Sequence, residues 1–84
     1  MSKQVKQITI EYFAALKEQR GVTSETHATS ALNARQLYQE LVADHALGLK
    51  AESVKVAIND EFVSWDTELK DKDRVVFLSP FAGG

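Results

Sequence analysis

Apolar and polar positions along the chain follow two different periods. From Gln4 to Tyr12 they alternate, with Ile8, Ile10 and Tyr12 on one face and Gln7, Thr9 and Glu11 on the other. Period two with β-branched residues predicts a strand. Phe13 to Arg20 is built of helix formers and stops at Gly21, which predicts one or two helical turns with a glycine C-cap. Val22 to Thr29 alternates weakly, is rich in Ser and Thr and has few apolar residues, as expected of an edge strand. The period then lengthens. Leu37 with Leu41, and Tyr38 with Val42, make one apolar stripe, so Asn33 to Leu47 is predicted to be the long helix. Asn33 is placed to cap it, Gln36 completes a capping box, Leu32 and Leu37 occupy the staple positions, and Gly48 is expected to end it.

Period two returns at Val54, Val56 and Ile58. Asn59-Asp60 reads as a turn, and Phe62-Val63-Ser64 as a short return strand. Asp66 to Asp73 is polar around Leu69 and reads as a loop. Val75-Val76-Phe77-Leu78 is apolar throughout, as a central strand requires. The order β, short α, β, long α, β, β, β predicts an α+β fold in which a mixed sheet of about five strands grasps one long helix. At 84 residues there is room for one core. The division expected is a folded domain over 1–78 and an extended tail over 79–84.

Composition removes most alternatives. The 44% hydrophobic and 26% charged fractions are those of an ordinary globular domain. There is no cysteine, so disulfides, thiolate metal ligands and a cysteine nucleophile are excluded. A net charge of −2, with the basic residues scattered, argues against nucleic-acid binding. No apolar run approaches the roughly 18 residues that would span a bilayer, and the N-terminus lacks a secretory pattern, so a cytoplasmic location without membrane contact is expected. Gly21, Gly48, Gly83 and Gly84 are the only glycines, and no phosphate-binding loop or dinucleotide fingerprint can be written with them. His27 and His45 fall on different elements and read as ordinary surface histidines. The acidic stretch Asp60, Glu61, Asp66, Glu68, Asp71 and Asp73, interleaved with Lys70, Lys72 and Arg74, fits no calcium loop and reads as a solvated segment. Trp65 reads as a partly buried packing residue.

What is left is the tail, Ser79-Pro80-Phe81-Ala82-Gly83-Gly84. Pro80 has no N–H and favours an extended Ser79, which ends the sheet. Six extended residues reach about 20 Å. Two glycines without Cβ atoms fit a channel too narrow for other residues, and an uncharged tail resists desolvation only at its terminal carboxylate. The long helix covers one side of the sheet, so some of Phe13, Phe62, Val76 and Leu78 are expected to stay exposed as an apolar partner surface.

Four stretches together resemble the small, sulfur-carrying subunit of molybdopterin synthase: Tyr12-Phe13-Ala14 with Leu16-Lys17-Glu18; Val56-Ala57-Ile58-Asn59 with Phe62-Val63; Leu69 to Val75; and Phe77 to Gly84. The resemblance implies the ubiquitin-like β-grasp fold. It also implies a mechanism in which an E1-like adenylyltransferase consumes ATP to adenylate Gly84, a persulfide donor protein supplies sulfur, and the Gly84 thiocarboxylate enters the synthase large subunit within a heterotetramer. This chain would bind no cofactor of its own. Gly84 would be the attachment point, and Gly83, Ala82, Phe81, Pro80, Leu78, Phe62 and Phe13 would contact the partners. Two departures stand out. Lys72 replaces a glycine, implying strain if the turn needs a positive φ, and Ser79 replaces the first of two prolines, which should loosen the tail. Competing readings are a carrier for thiamine or tRNA thiolation, a ubiquitin-like modifier, and a plain interaction module.

Overall fold

The computed structural model describes residues 5–45 and 47–79. Gln4, Ala46 and the tail from Pro80 to Gly84, on which parts of the sequence reading fall, lie outside the described residues. The elements run β1 (Lys6–Phe13), α1 (Ala15–Arg20), β2 (Ser24–Thr29), α2 (Ala34–His45), a 3-10 turn (Ala51–Ser53), β3 (Lys55–Ile58), β4 (Glu61–Val63) and β5 (Arg74–Leu78).

The five strands form one sheet in the order β2-β1-β5-β3-β4. β1 and β5 run parallel, and the other neighbours are antiparallel. The first and last strands are therefore central neighbours, and the polar β2 lies at an edge as its composition predicts. α2 packs Ala34, Leu37, Tyr38 and Leu41 against Ile8, Ile10 and Tyr12 of β1, Val56 and Ile58 of β3, and Val75 and Phe77 of β5. Phe77 is the hub. Its ring centroid lies 5.2 Å from Tyr38 and 5.9 Å from a stacked Trp65. Fully burying a side chain of this size contributes about 1.5–3 kcal/mol.

Local chemistry explains the element ends. Asn59 and Asp60 both have positive φ (53° and 74°), the two-residue turn that matches the twist of a hairpin and that Asn and Asp tolerate best. The Asn33 Oδ1 accepts the Gln36 N–H at 2.9 Å, and Gln36 Oε1 in return accepts the Leu32 N–H at 2.8 Å. The predicted cap forms, displaced by one residue on its return half. Gly21 (φ 83°) ends α1 in the left-handed conformation, its N–H donating to the Lys17 carbonyl at 2.9 Å.

Three expectations are corrected. Leu32 stays 61% exposed, so it forms no effective staple over Leu37. Gly48 is not the helix cap: α2 ends at His45, Gly48 has no positive φ, and its N–H donates to Gln19 Oε1 at 2.8 Å. The chain leaves the helix early because Leu47 turns into the core and the Leu49 carbonyl accepts the Tyr38 hydroxyl at 2.6 Å. Asp73 is buried rather than solvated, because its carboxylate closes the loop before β5 by accepting the Lys70 N–H and the Asn59 amide. The loosening expected of the tail falls outside the described residues; the Ser79 hydroxyl itself is tied to the β1–α1 turn.

Lys72 keeps the glycine-like turn, with φ 71°. That conformation costs about 1–2 kcal/mol for a residue with a Cβ. It persists because the Lys72 N–H donates to the Gln7 carbonyl at 2.8 Å while Asp71 accepts the Gln7 N–H at 2.8 Å. Ala14 is also unusual, at φ 57° and ψ −130°, where the chain turns from β1 into α1.

Candidate functional site

The sheet face opposite α2 carries the candidate patch. Along β1 this face shows Thr9, Glu11 and Phe13, and along β5 it shows Arg74, Val76 and Leu78. The register stacks them in rows. Phe13, Leu78 and Lys55 are neighbours across three strands; Glu11, Val76, Ala57 and Phe62 form the next row across four. Val76 and Ala57 are 8% and 7% exposed, yet neither belongs to the main core. They bury each other's surroundings on the open face.

Phe13 and Phe62 remain 43% and 67% exposed, and Leu78 is half-buried. Some of the four expected residues are therefore exposed, and Val76 is the floor beneath them, because a central strand has neighbours on both sides and the edge strand β4 does not. α1 does not cover this face, since it buries Leu16 in the main core. A depression of about 350 Å³ opens between Phe62, Leu78, Ser79, Lys55, Ser53 and Glu52. It lies where β5 ends. At the other end of the face, where β5 begins, Arg74 pairs with Glu11 at 3.3 Å and with Asp60.

The root of the tail is held on the same face. Ser79 Oγ accepts the Ala15 N–H at 2.9 Å and donates to the Phe13 carbonyl at 3.2 Å. Nothing in the sequence pattern marks this contact, which joins residues from opposite ends of the chain. The candidate residues Pro80, Phe81, Ala82, Gly83 and Gly84 lie outside the described residues, so the structure brings together Phe13, Phe62 and Leu78 from the predicted set, with Ser79 added.

Other titratable groups are used structurally. Buried Tyr12 donates to Glu25 Oε2 at 2.5 Å, and Arg20 holds the same carboxylate at 2.6 Å. Burial, reinforced by Glu25, pushes the Tyr12 hydroxyl well above its ordinary value, while the Arg20 hydrogen bond, helped by Tyr12, holds the Glu25 carboxyl below its own. His27 lies 3.4 Å from Glu40, which also accepts the Thr29 hydroxyl at 2.7 Å. His45 sits at the end of α2, apart from it. Among the described residues no three His, Asp or Glu side chains are grouped to hold a metal ion, and no helix is long and apolar enough to cross a membrane.

The ThiS family model matches residues 10–84. The chain belongs to the ThiS family. The molybdopterin synthase sulfur carrier subunit of Escherichia coli (strain K12) is 31% identical over 80 residues, which is 92% of this chain and 99% of that protein. Among solved structures, the putative molybdopterin converting factor subunit 1 from Pyrococcus furiosus superposes with a TM-score of 0.73 at 29% identity, covering 89% of this chain and 98% of that one. A chain from the protein–protein complex of subunits 1 and 2 of the Helicobacter pylori molybdopterin-converting factor matches with a TM-score of 0.63 at 25% identity, over 93% and 99% of the two chains. The mixed five-stranded sheet grasping α2 is the ubiquitin-like β-grasp of these relatives, as the four sequence stretches implied.

Proposed function

We propose that this chain is a sulfur carrier in molybdopterin synthesis whose Gly84 carboxylate is converted to a thiocarboxylate. The observation that carries the reading is the position of the uncovered aromatic patch. Phe13, Phe62 and Leu78 lie at the end of the sheet where β5 finishes, beside the root of a tail whose family match runs on through Gly84. A partner that grips the patch is thereby placed to receive the tail.

A carboxylate is a poor acyl donor, so the chemistry begins with activation. The Gly84 carboxylate attacks the α-phosphorus of ATP on an E1-like adenylyltransferase, and pyrophosphate leaves. The terminal sulfur of a persulfide donor protein then attacks the acyl carbon and AMP leaves. A thiol cleaves the resulting acyl disulfide, releasing the thiocarboxylate and forming a new disulfide. The tail next enters the synthase large subunit, where the sulfur displaces an oxygen substituent from a carbon of the pterin precursor, and water then cleaves the resulting thioester, leaving the sulfur on the precursor and restoring the carboxylate. Splitting one hard transfer into these steps is the logic of covalent catalysis. Two dithiolene sulfurs require two charged carriers.

In this reading Gly83 and Gly84 thread the partners' channel, Pro80, Phe81 and Ala82 line its entrance, and Phe13, Phe62 and Leu78 dock. The chain supplies no acid, base or cofactor; ATP is consumed by the partner. All steps belong to the cytoplasm, which suits a cysteine-free carrier.

The test is the intact mass of the protein from cells making molybdenum cofactor, beside a strain lacking the E1-like partner. A mass gain equal to exchange of oxygen for sulfur, mapped by fragmentation to Gly84 and dependent on the partner, supports the carrier. Mapping matters because oxidation of Met1 adds nearly the same mass. A plain carboxylate under cofactor demand overturns it. Isopeptide conjugates to other proteins would instead indicate a ubiquitin-like modifier, and a thiocarboxylate indifferent to cofactor demand would indicate a different thiolation pathway.

A further inference from the structure

We propose that the Ser79 hydroxyl is a positioning latch, locking the point where the chain leaves β5 to the Phe13–Ala15 turn so that this point and the Phe13 docking contact meet a partner as one preorganised unit. The inference rests on the carrier reading and adds to it a residue that acts on positioning.

The geometry uses the hydroxyl as both donor and acceptor. A serine has one donor and two acceptor positions. Here the donor goes to the Phe13 carbonyl at 3.2 Å and an acceptor takes the Ala15 N–H at 2.9 Å. That N–H is the first of α1, which has no partner within its own helix, and Ala14 before it has no side-chain oxygen to offer. Ser79 reaches it from the far end of the sequence. The latched turn is also the one held at φ 57° and ψ −130° on Ala14, a conformation that a residue with a Cβ keeps only where its surroundings over-determine it. Phe13 immediately precedes Ala14, so the direction of its exposed ring depends on that turn. Leu78, next to Ser79, is the register partner of Phe13. Leu78 at the end of the last strand and Ser79 just beyond it thus clamp two ends of one turn, and Ser79 lines the depression shared with Phe62 and Lys55. Removing the hydroxyl leaves the Leu78–Phe13 pairing but frees the turn and the point where the chain leaves β5 to move independently. Both must then be reordered on binding, which weakens affinity without touching the reacting carboxylate.

The test compares Ser79→Ala, Ser79→Thr and, as a control, Thr29→Val, which removes a hydroxyl that accepts the Ala31 N–H at 3.0 Å on the far edge strand. Pyrophosphate release by the cognate E1-like enzyme is measured against carrier concentration, well below every variant's melting temperature. Hydrogen exchange of the Ala15 amide is followed by NMR in parallel. Ser79→Ala is expected to speed Ala15 exchange and raise KM for the carrier about three- to tenfold with kcat little changed, the size expected for one or two lost hydrogen bonds. Ser79→Thr should restore both values. Thr29→Val should lower the melting temperature and leave KM alone. An unchanged KM for Ser79→Ala, or an equal rise for Thr29→Val, overturns the positioning role. If the wild-type chain itself releases no pyrophosphate, the carrier reading fails and the positioning role falls with it, while Ala15 exchange still reports whether the latch exists.

Discussion

Lys72 offers a sharp test of how backbone conformation limits the stability of this domain. Its side chain is exposed, and its φ is 71°. Replacing it by glycine removes the clash between Cβ and backbone that makes this region costly, about 1–2 kcal/mol. Glycine also gives the unfolded chain more freedom, which returns about 0.4–1 kcal/mol of that gain. The Lys72 N–H bond to the Gln7 carbonyl is unaffected, since every residue except proline supplies that donor. Lys72→Gly should therefore stabilise the fold by about 0.5–1 kcal/mol, which for a domain of this size is about 2–8 °C in Tm. Lys72→Ala is the control. It removes the same charge and the same long side chain but retains Cβ, so it should bring no comparable gain. Urea and thermal unfolding of the three proteins, with equal denaturant slopes, measure the difference. If glycine is no more stable than alanine, the turn is not strained and the reasoning from φ is refuted.

Two further outcomes follow from the open face and the Glu25 network. Phe62→Asp alters an exposed residue of an edge strand, so unfolding free energy should change by no more than about 1 kcal/mol. Affinity for the synthase large subunit, measured by calorimetry, should fall at least about tenfold, as expected of an aromatic anchor; unaltered affinity would remove Phe62 from the docking surface. Glu25 has its folded pKa depressed, chiefly by the Arg20 hydrogen bond. A depressed carboxylate contributes stability that is complete above its ordinary value of 4.5 and disappears as pH falls through the lower folded value. The stability gap between wild type and Glu25→Gln should thus be widest near neutrality and shrink below about pH 4.5, and stability curves that stay parallel into acid would exclude this contribution.

Much of the architecture was legible because it is written locally. The helical stripe Leu37, Tyr38 and Leu41 and the alternation of Ile8, Ile10 and Tyr12 are periods imposed by backbone geometry, so they appear in the sequence as soon as one face is buried. Asn59-Asp60 announces its turn because few residues tolerate two positive φ angles in succession. The candidate patch was partly legible for the same reason: one helix covers one face, and the remaining aromatics must lie on the other. Helix termination at Gly48 was misread because a glycine marks where a left-handed cap is cheap, whereas the burial of Leu47 and the Tyr38–Leu49 bond decided where the chain departs.

The amino-acid sequence by itself determined the elements, their order, the single core and an uncharged Gly-Gly ending, since propensity, period and composition act between near neighbours. Only the tertiary structure decided that Val76 lies beneath the patch while Phe62 stands above it, because burial depends on whether a strand is central or at an edge, which its own residues do not state. It alone decided that Asp73 is buried as a hydrogen-bond acceptor and that Lys72 bears a conformation more easily held by glycine. It alone joined Ser79 to Phe13 and Ala15, a contact possible only because parallel pairing brings the ends of the first and last strands together.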